Sequence, residues 1–227
     1  MNFFITGTDT GVGKSVISGL LARYLLNQGN TVITQKWIET GAEAGSSDID
    51  THLRFMGKQK SQIEHIFDLV LPYSFKLACS PHLAAEAGNV AIDKDKIKKA
   101  FKSLLDKFDS VIAEGSGGVL VPISRDSLII DILKELAIPV IIVAANKLGV
   151  INHTLLTIEA LRVRDINIEG VIFNDQPDYN NKQVCDDNLR IIKELTSVKI
   201  LGRLPWSDDI DFLHEEFKSI GKTVSNL

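Results

Sequence analysis

The chain has 227 residues, 44% of them hydrophobic, enough to bury one sizeable core. Its 25 basic side chains nearly balance 29 acidic ones, a formal net charge of −4, so neither a basic nucleic-acid surface nor a cationic membrane-surface run is expected. The longest apolar runs, such as residues 138–145, are far shorter than a bilayer span, and with the first strand close behind Met1 no secretory leader is expected.

In chain order, Phe3-Phe4-Ile5 predicts a strand over 2–7, followed by the glycine-rich stretch Gly7-Thr8-Asp9-Thr10-Gly11-Val12-Gly13-Lys14-Ser15 and an apolar-periodic helix over 13–28. A second strand over 31–36 ends at Lys36, a Gly/Ser-rich loop spans 41–47, and a helix is predicted over 48–57. Residues 58–90, with Pro72 and Pro81, form a less regular insertion. Helices over 93–107, 126–136, 152–165 and 183–196 then alternate with strands over 109–114, 139–145, 168–173 and 199–204, and 207–227 forms a helical tail. Val140-Ile141-Ile142-Val143-Ala144-Ala145 is apolar at every position, as strands covered on both faces are. Strand–helix alternation from end to end predicts one α/β domain with a doubly wound, mostly parallel sheet of the P-loop type.

In such a sheet, ligands sit beyond the carboxyl ends of the strands. There the chain carries Lys14 and Ser15, then Lys36 and Thr40, Glu114, Asn146 and Lys147, Asn174 and Asp175, and Pro205-Trp206. The loop ending in Gly13-Lys14-Ser15 follows a strand and opens a helix, which is the setting that cradles phosphates on backbone N–H groups and helix dipole. It departs from G-x-x-x-x-G-K-[ST] in having Thr8 where glycine is usual. Lys14 is expected on the β/γ-phosphates and Ser15 on Mg²⁺. Two lysines, Lys14 and Lys36, would stabilise charge on one transferring phosphoryl group. Glu114 supplies a hard oxygen donor for Mg²⁺, and Asp48 could add another, with Asp50 its competitor. Ser47-Asp48 reads equally well as a helix N-cap. Asn146-Lys147-Leu148-Gly149 lacks the aspartate of a guanine-reading N-K-x-D motif, so adenine is favoured. Asn152 reads as an N-cap, and the free N–H groups at 149–153 could hold a carboxylate. His52, His65, His82 and His214 show no ligand spacing, so no zinc site is expected. Cys79 and Cys185 are too few and too far apart for a disulfide framework, which fits a reducing cytoplasm.

Taken as an ordered set, these motifs resemble the dethiobiotin synthetase family over nearly the full chain, to about Trp206. They comprise the glycine-rich loop, Lys36 with Thr40-Gly41, Ser80-Pro81-His82, Glu114-Gly115-Ser116-Gly117-Gly118, Lys147-Leu148-Gly149 with Ile151-Asn152-His153, Asn174-Asp175 and Pro205-Trp206. The family's loop also carries threonine at the Thr8 position. The resemblance implies that 7,8-diaminononanoate, CO₂ and Mg-ATP give dethiobiotin, ADP and phosphate through a carbamate and a mixed carbamic-phosphoric anhydride. It implies Lys36 and Lys14 as catalytic residues, and Ser15, Asp48 and Glu114 as Mg²⁺ ligands. ATP contacts would come from Gly11, Val12, Gly13, Lys14, Ser15, Val16, Asp48, Glu114, Gly115, Ser116, Gly117, Asn174, Asp175, Pro205, Trp206 and Ser207. Thr40 would touch the substrate, whose carboxylate would rest on Gly149, Val150, Ile151 and Asn152 of the partner in a homodimer. Trp37 stands where the family commonly has proline, Thr40 where it commonly has serine, and Gly11 where some members have glutamate.

Two rivals carry the same loop. A partition-type regulatory ATPase would have an extra lysine near Asp9, and an amidotransferase-related synthetase would need a glutaminase domain beyond Trp206. A simple kinase would phosphorylate its acceptor without CO₂. On the reading adopted here, Lys36→Ala abolishes turnover and leaves the fold intact.

Overall fold

The apolar runs become strands because burial on both faces leaves no position for a polar side chain. In a computed structural model that describes residues 1–42, 47–179 and 181–226, the order is β1 (Asn2–Gly7), α1 (Lys14–Asn27), β2 (Val32–Lys36), β3 (Ile38–Thr40), α2 (Ser47–Met56), α3 (Phe67–Val70), β4 (Tyr73–Phe75), α4 (Pro81–Ala87) and α5 (Lys94–Leu105). There follow β5 (Ser110–Glu114), α6 (Ile129–Leu136), β6 (Val140–Asn146), α7 (Val150–Arg162), β7 (Ile168–Asp175), α8 (Lys182–Thr196), β8 (Ile200–Leu204) and α9 (Ile210–Ser225).

A six-stranded sheet runs β2-β5-β1-β6-β7-β8, with every neighbouring pair parallel. Period-two alternation divides the core. Phe3 and Ile5 pack with Ile17, Leu20 and Leu21 of α1 and Phe217 of α9, while Phe4 faces the other layer with Phe101, Ile130, Leu161 and Ile192. All carboxyl ends therefore meet on one edge. The register places Lys36 of β2 directly beside Glu114 of β5, and Glu114 beside Ile5 of β1.

The six predicted strands are all present, and the helices match within a few residues. Four differences matter for the site. First, β7 runs on through Asn174 and Asp175. Second, the insertion is built: β3 and β4 pair in parallel, Ile38 opposite Tyr73, and α4 follows. Third, α7 begins at Val150 with Gly149 as its cap at φ 92°, so Asn152 is an exposed residue inside the first turn and not the N-cap. Gly149 takes the cap because the chain enters the helix through a left-handed conformation that glycine adopts without strain. Fourth, residues 43–46 of the loop expected at 41–47 lie outside the described residues.

Candidate functional site

The glycine-rich loop turns through two left-handed residues, Gly11 at φ 74° and Gly13 at φ 94°. Gly13 caps α1 with no side-chain hydrogen bond, which leaves the backbone N–H groups of Lys14, Ser15 and Val16 outside the helix ladder. These residues line a cavity of about 690 Å³ together with Lys36, Asp48 and Glu114. A side chain could not replace Gly13, since its Cβ would stand 2.2 Å from the Asn174 amide. Asn174 donates instead to the Val12 carbonyl at 3.0 Å, bracing the loop from β7.

Lys14 and Lys36 open on the same cavity. The Lys14 ammonium is buried and bonds the Asp9 carbonyl at 3.3 Å; burial, then the neighbouring charge of Lys36, hold it below the usual lysine range. Lys36 is 3% exposed and sits between two carboxylates, 2.6 Å from Asp48 and 2.7 Å from Glu114, and also donates to the Gly115 carbonyl at 3.0 Å. Burial opposes its charge, but Glu114 and Asp48 outweigh burial and hold the ammonium above the usual value.

Glu114 has no exposed surface. Its Oε1 accepts from Lys36 and from Ser15 Oγ at 3.0 Å, and its Oε2 accepts from Ser18 Oγ at 3.0 Å and from His52 Nε2 at 2.7 Å. Burial alone would raise its carboxyl, yet Lys36, the bond from His52 and Lys14 together drive it well below the carboxylate range. Asp48 accepts from Ser15 at 2.6 Å, and its own N–H is bonded by Glu39 Oε1 at 3.1 Å. Of the two readings of Asp48, its side chain faces the cavity and is not spent on capping; Asp50 is exposed.

Ser15 has one hydroxyl proton and two carboxylate oxygens within reach, so it can donate to only one at a time. One oxygen of Asp48 and one of Glu114 thus lie 2.6 and 3.0 Å from the Ser15 hydroxyl oxygen, a cluster of three. Neighbouring ligands of an octahedral Mg²⁺ stand about 2.9 Å apart, given metal–oxygen bonds of ~2.0–2.1 Å. The donor set suits that ion. Among the described residues no three carboxylate, histidine or cysteine side chains gather as a metal cage, but Mg²⁺ keeps waters and substrate phosphates and uses only one or two carboxylates.

Thr40, Ser116 and Gly117 also line the cavity, and the Ser116 hydroxyl donates to the Ile38 carbonyl. Thr51, Cys79, Ser80 and Pro81 join them from α2 and the insertion. Cys79 is therefore a wall of the site. The remaining expected residues lie elsewhere. Asp175 is held by Arg203, 2.8 Å away, and by Asn146 at 2.9 Å. Pro205, Trp206 and Ser207 do not reach this cavity, and Trp206 is exposed. Val150 lines a separate 180 Å³ hollow with Thr10, Gly11 and Val12, and neither Gly149, Ile151 nor Asn152 enters either space. The sequence reading missed His52 and Ser18. The available signal was spacing: Ser15 and Ser18 are three apart on α1, Asp48 and His52 four apart on α2, so each pair shares a helix face.

A family profile described as an AAA domain matches residues 1–213. An ATP-dependent dethiobiotin synthetase of Halalkalibacterium halodurans is 38% identical over 212 residues, covering 92% of this chain and 86% of the relative. One from Methanocaldococcus jannaschii is 38% identical over 215 residues, covering 92% and 97%. Among solved structures, the MinC:MinD cell division protein complex of Aquifex aeolicus aligns with TM-score 0.61 at 16% identity over 99% of this chain and 94% of that one. A ParA family ATPase from Chlorobium tepidum gives TM-score 0.56 at 15% identity over 99% and 96%. At such identities the likeness is one of fold.

Proposed function

The chain belongs to the ATP-dependent dethiobiotin synthetase family, and from that premise we propose that it joins 7,8-diaminononanoate and CO₂ into a cyclic urea at the expense of ATP. The observation that carries this is the convergence of two lysines, a serine hydroxyl and two carboxylates on one cavity at the strand ends. One amine of the substrate adds to CO₂ and loses a proton, giving a carbamate. A carbamate oxygen attacks the γ-phosphorus, the bond to ADP breaks, and a mixed carbamic-phosphoric anhydride forms. The second amine attacks its carbonyl carbon and expels phosphate, closing the ring.

The loop N–H groups and Lys14 are suited to the triphosphate, and Lys36 to the acceptor and the transferring phosphoryl. Incoming anionic oxygens compete with Glu114 and Asp48 for the Lys36 ammonium, which moves it from a resting pair onto the reacting group. Ser15, Asp48 and Glu114 would hold magnesium, which when bound offsets charge on the phosphate oxygens. Thr40 on β3 lines the same cavity and is suited to offer its hydroxyl to the substrate. Asn174, Asp175 and Pro205 to Ser207 remain the proposed adenine surroundings. The working unit is a homodimer in which the 149–152 segment of one protomer serves the other's substrate. No helix among the described residues is long and apolar enough to cross a membrane, and two unpaired cysteines suit work in the cytoplasm.

The test is turnover with labelled bicarbonate. ATP hydrolysis is expected to require both diamine and bicarbonate, with the label retained in the ring carbonyl of the product. Equal hydrolysis without diamine would favour a regulatory ATPase, and phosphorylated diamine without label a kinase.

A further inference from the structure

His52 is wholly buried on α2, one turn beyond Asp48, with Nε2 2.7 Å from Glu114 Oε2. A carboxylate only accepts, so Nε2 carries the proton between them. The opposite ring nitrogen, Nδ1, is buried and has no hydrogen-bond partner among the described residues. Leucine would fill the space without stranding a polar atom. What the histidine adds is its bond to Glu114.

We propose that His52 is a positioning residue for the metal and lysine site: with Ser18 it fixes Oε2 of Glu114 inside the protein and so presents Oε1 to the cavity. The groups within hydrogen-bond reach of this carboxylate divide two and two: Lys36 and Ser15, whose one proton is shared with Asp48, on the cavity oxygen, and Ser18 and His52 on the inner one. When Lys36 leaves for an anionic substrate, the inner pair keeps Glu114 from rotating after it. The helices are built to allow this. Gly19 lets α2 lie close on α1, because a Cβ there would meet Phe55 Cβ at 2.7 Å and the His52 carbonyl at 3.1 Å. The proposal rests on the role given above to Glu114.

The experiment is calorimetric binding of the non-hydrolysable analogue AMPPNP at a series of Mg²⁺ concentrations, in the intact protein and in His52→Leu and His52→Gln, with melting curves to establish folding. Half-saturating Mg²⁺ is expected to rise about 10–100-fold in His52→Leu and to return to within about threefold in His52→Gln, whose amide N–H can serve the same oxygen. A folded His52→Leu within about twofold of the unaltered protein, or a His52→Gln no better than it, overturns the proposal. Should His52→Leu not fold, nitrogen NMR of the unaltered protein decides. A proton on Nε2, kept when Mg-AMPPNP binds, supports the assignment, and a proton on Nδ1 alone removes it. If the unaltered protein binds AMPPNP with no Mg²⁺ dependence, the metal role of Glu114 fails and this inference with it. Mg²⁺ dependence left intact by His52→Leu sinks His52 alone.

Discussion

Lys36 carries the highest stakes of any single residue, because it is both the expected reacting group and the counter-charge for two carboxylates, one of them fully buried. To the expectation that alanine leaves the fold intact, this geometry adds a cost in stability. Removing one partner of a buried ion pair leaves the other charge uncompensated, at a cost of about 3–5 kcal/mol. His52, Ser18 and Ser15 still bond Glu114, which places Lys36→Ala toward the lower end of that range. The pH dependence has a definite sign. The Glu114 carboxyl is lowered, so its stabilisation is present above the unfolded value of about 4.3 and lost as pH falls through the folded one. The Lys36 ammonium is raised, so its stabilisation is present below about 10.4 and lost as pH rises through the folded value. Urea unfolding of the two proteins should therefore differ most between about pH 4.3 and 10.4 and converge on either side. Turnover should fall by at least about 100-fold, as for loss of one preorganised charge-stabilising donor. Equal stability across that range would mean that Lys36 does not pair with the carboxylates in solution.

At the scale of elements, the close approach of α1 and α2 brings Ser15, Ser18, Asp48 and His52 onto one carboxylate. Gly19→Ala isolates that approach. Propensity alone would stabilise the helix by about 1 kcal/mol, but the added methyl meets Phe55 and the His52 carbonyl inside contact distance. Overpacking of this kind costs about 1–3 kcal/mol, so a net loss in denaturant midpoint is expected, together with weaker Mg²⁺-dependent nucleotide binding. A gain in stability would show that α2 is loosely seated. The strands were legible because both-face burial writes itself as an unbroken apolar run, and the glycine-rich loop because its backbone demands particular residues. Lys36 and Glu114 were legible as strand ends. His52 was not, since its partner is 62 residues away on a strand and only the helix pairing unites them. Trp37 was also opaque: where proline was usual, it is buried against Phe4 at 4.4 Å and bonds Gln35, so it anchors the turn from β2 into β3.

For the whole molecule, the proposed roles of the cavity residues assign phosphates and acceptor but leave the substrate's far end without a partner in the same cavity. The proposed homodimer would supply that partner from a second copy. Leu120 and Leu156 are both at least half exposed and line a groove of about 370 Å³ that also takes in Val119 and Ala160. Val121 lines both this groove and the main cavity, so a second copy seated there would stand beside the reacting centre. Apolar side chains exposed around one groove suit the contact surface that the proposed homodimer requires. The 149–152 segment lies at the head of α7, where Gly149 leaves the first backbone N–H groups uncapped by any side chain. Leu156→Glu separates the two functions. A glutamate without a partner in an apolar interface costs several kcal/mol, so sedimentation should show a dimer become a monomer. Because the phosphate loop belongs to one chain, AMPPNP affinity should stay within about twofold, while KM for the diamine rises at least about tenfold. A monomeric unaltered protein with full activity, or a Leu156→Glu monomer with unchanged KM, would confine the whole substrate site to a single chain.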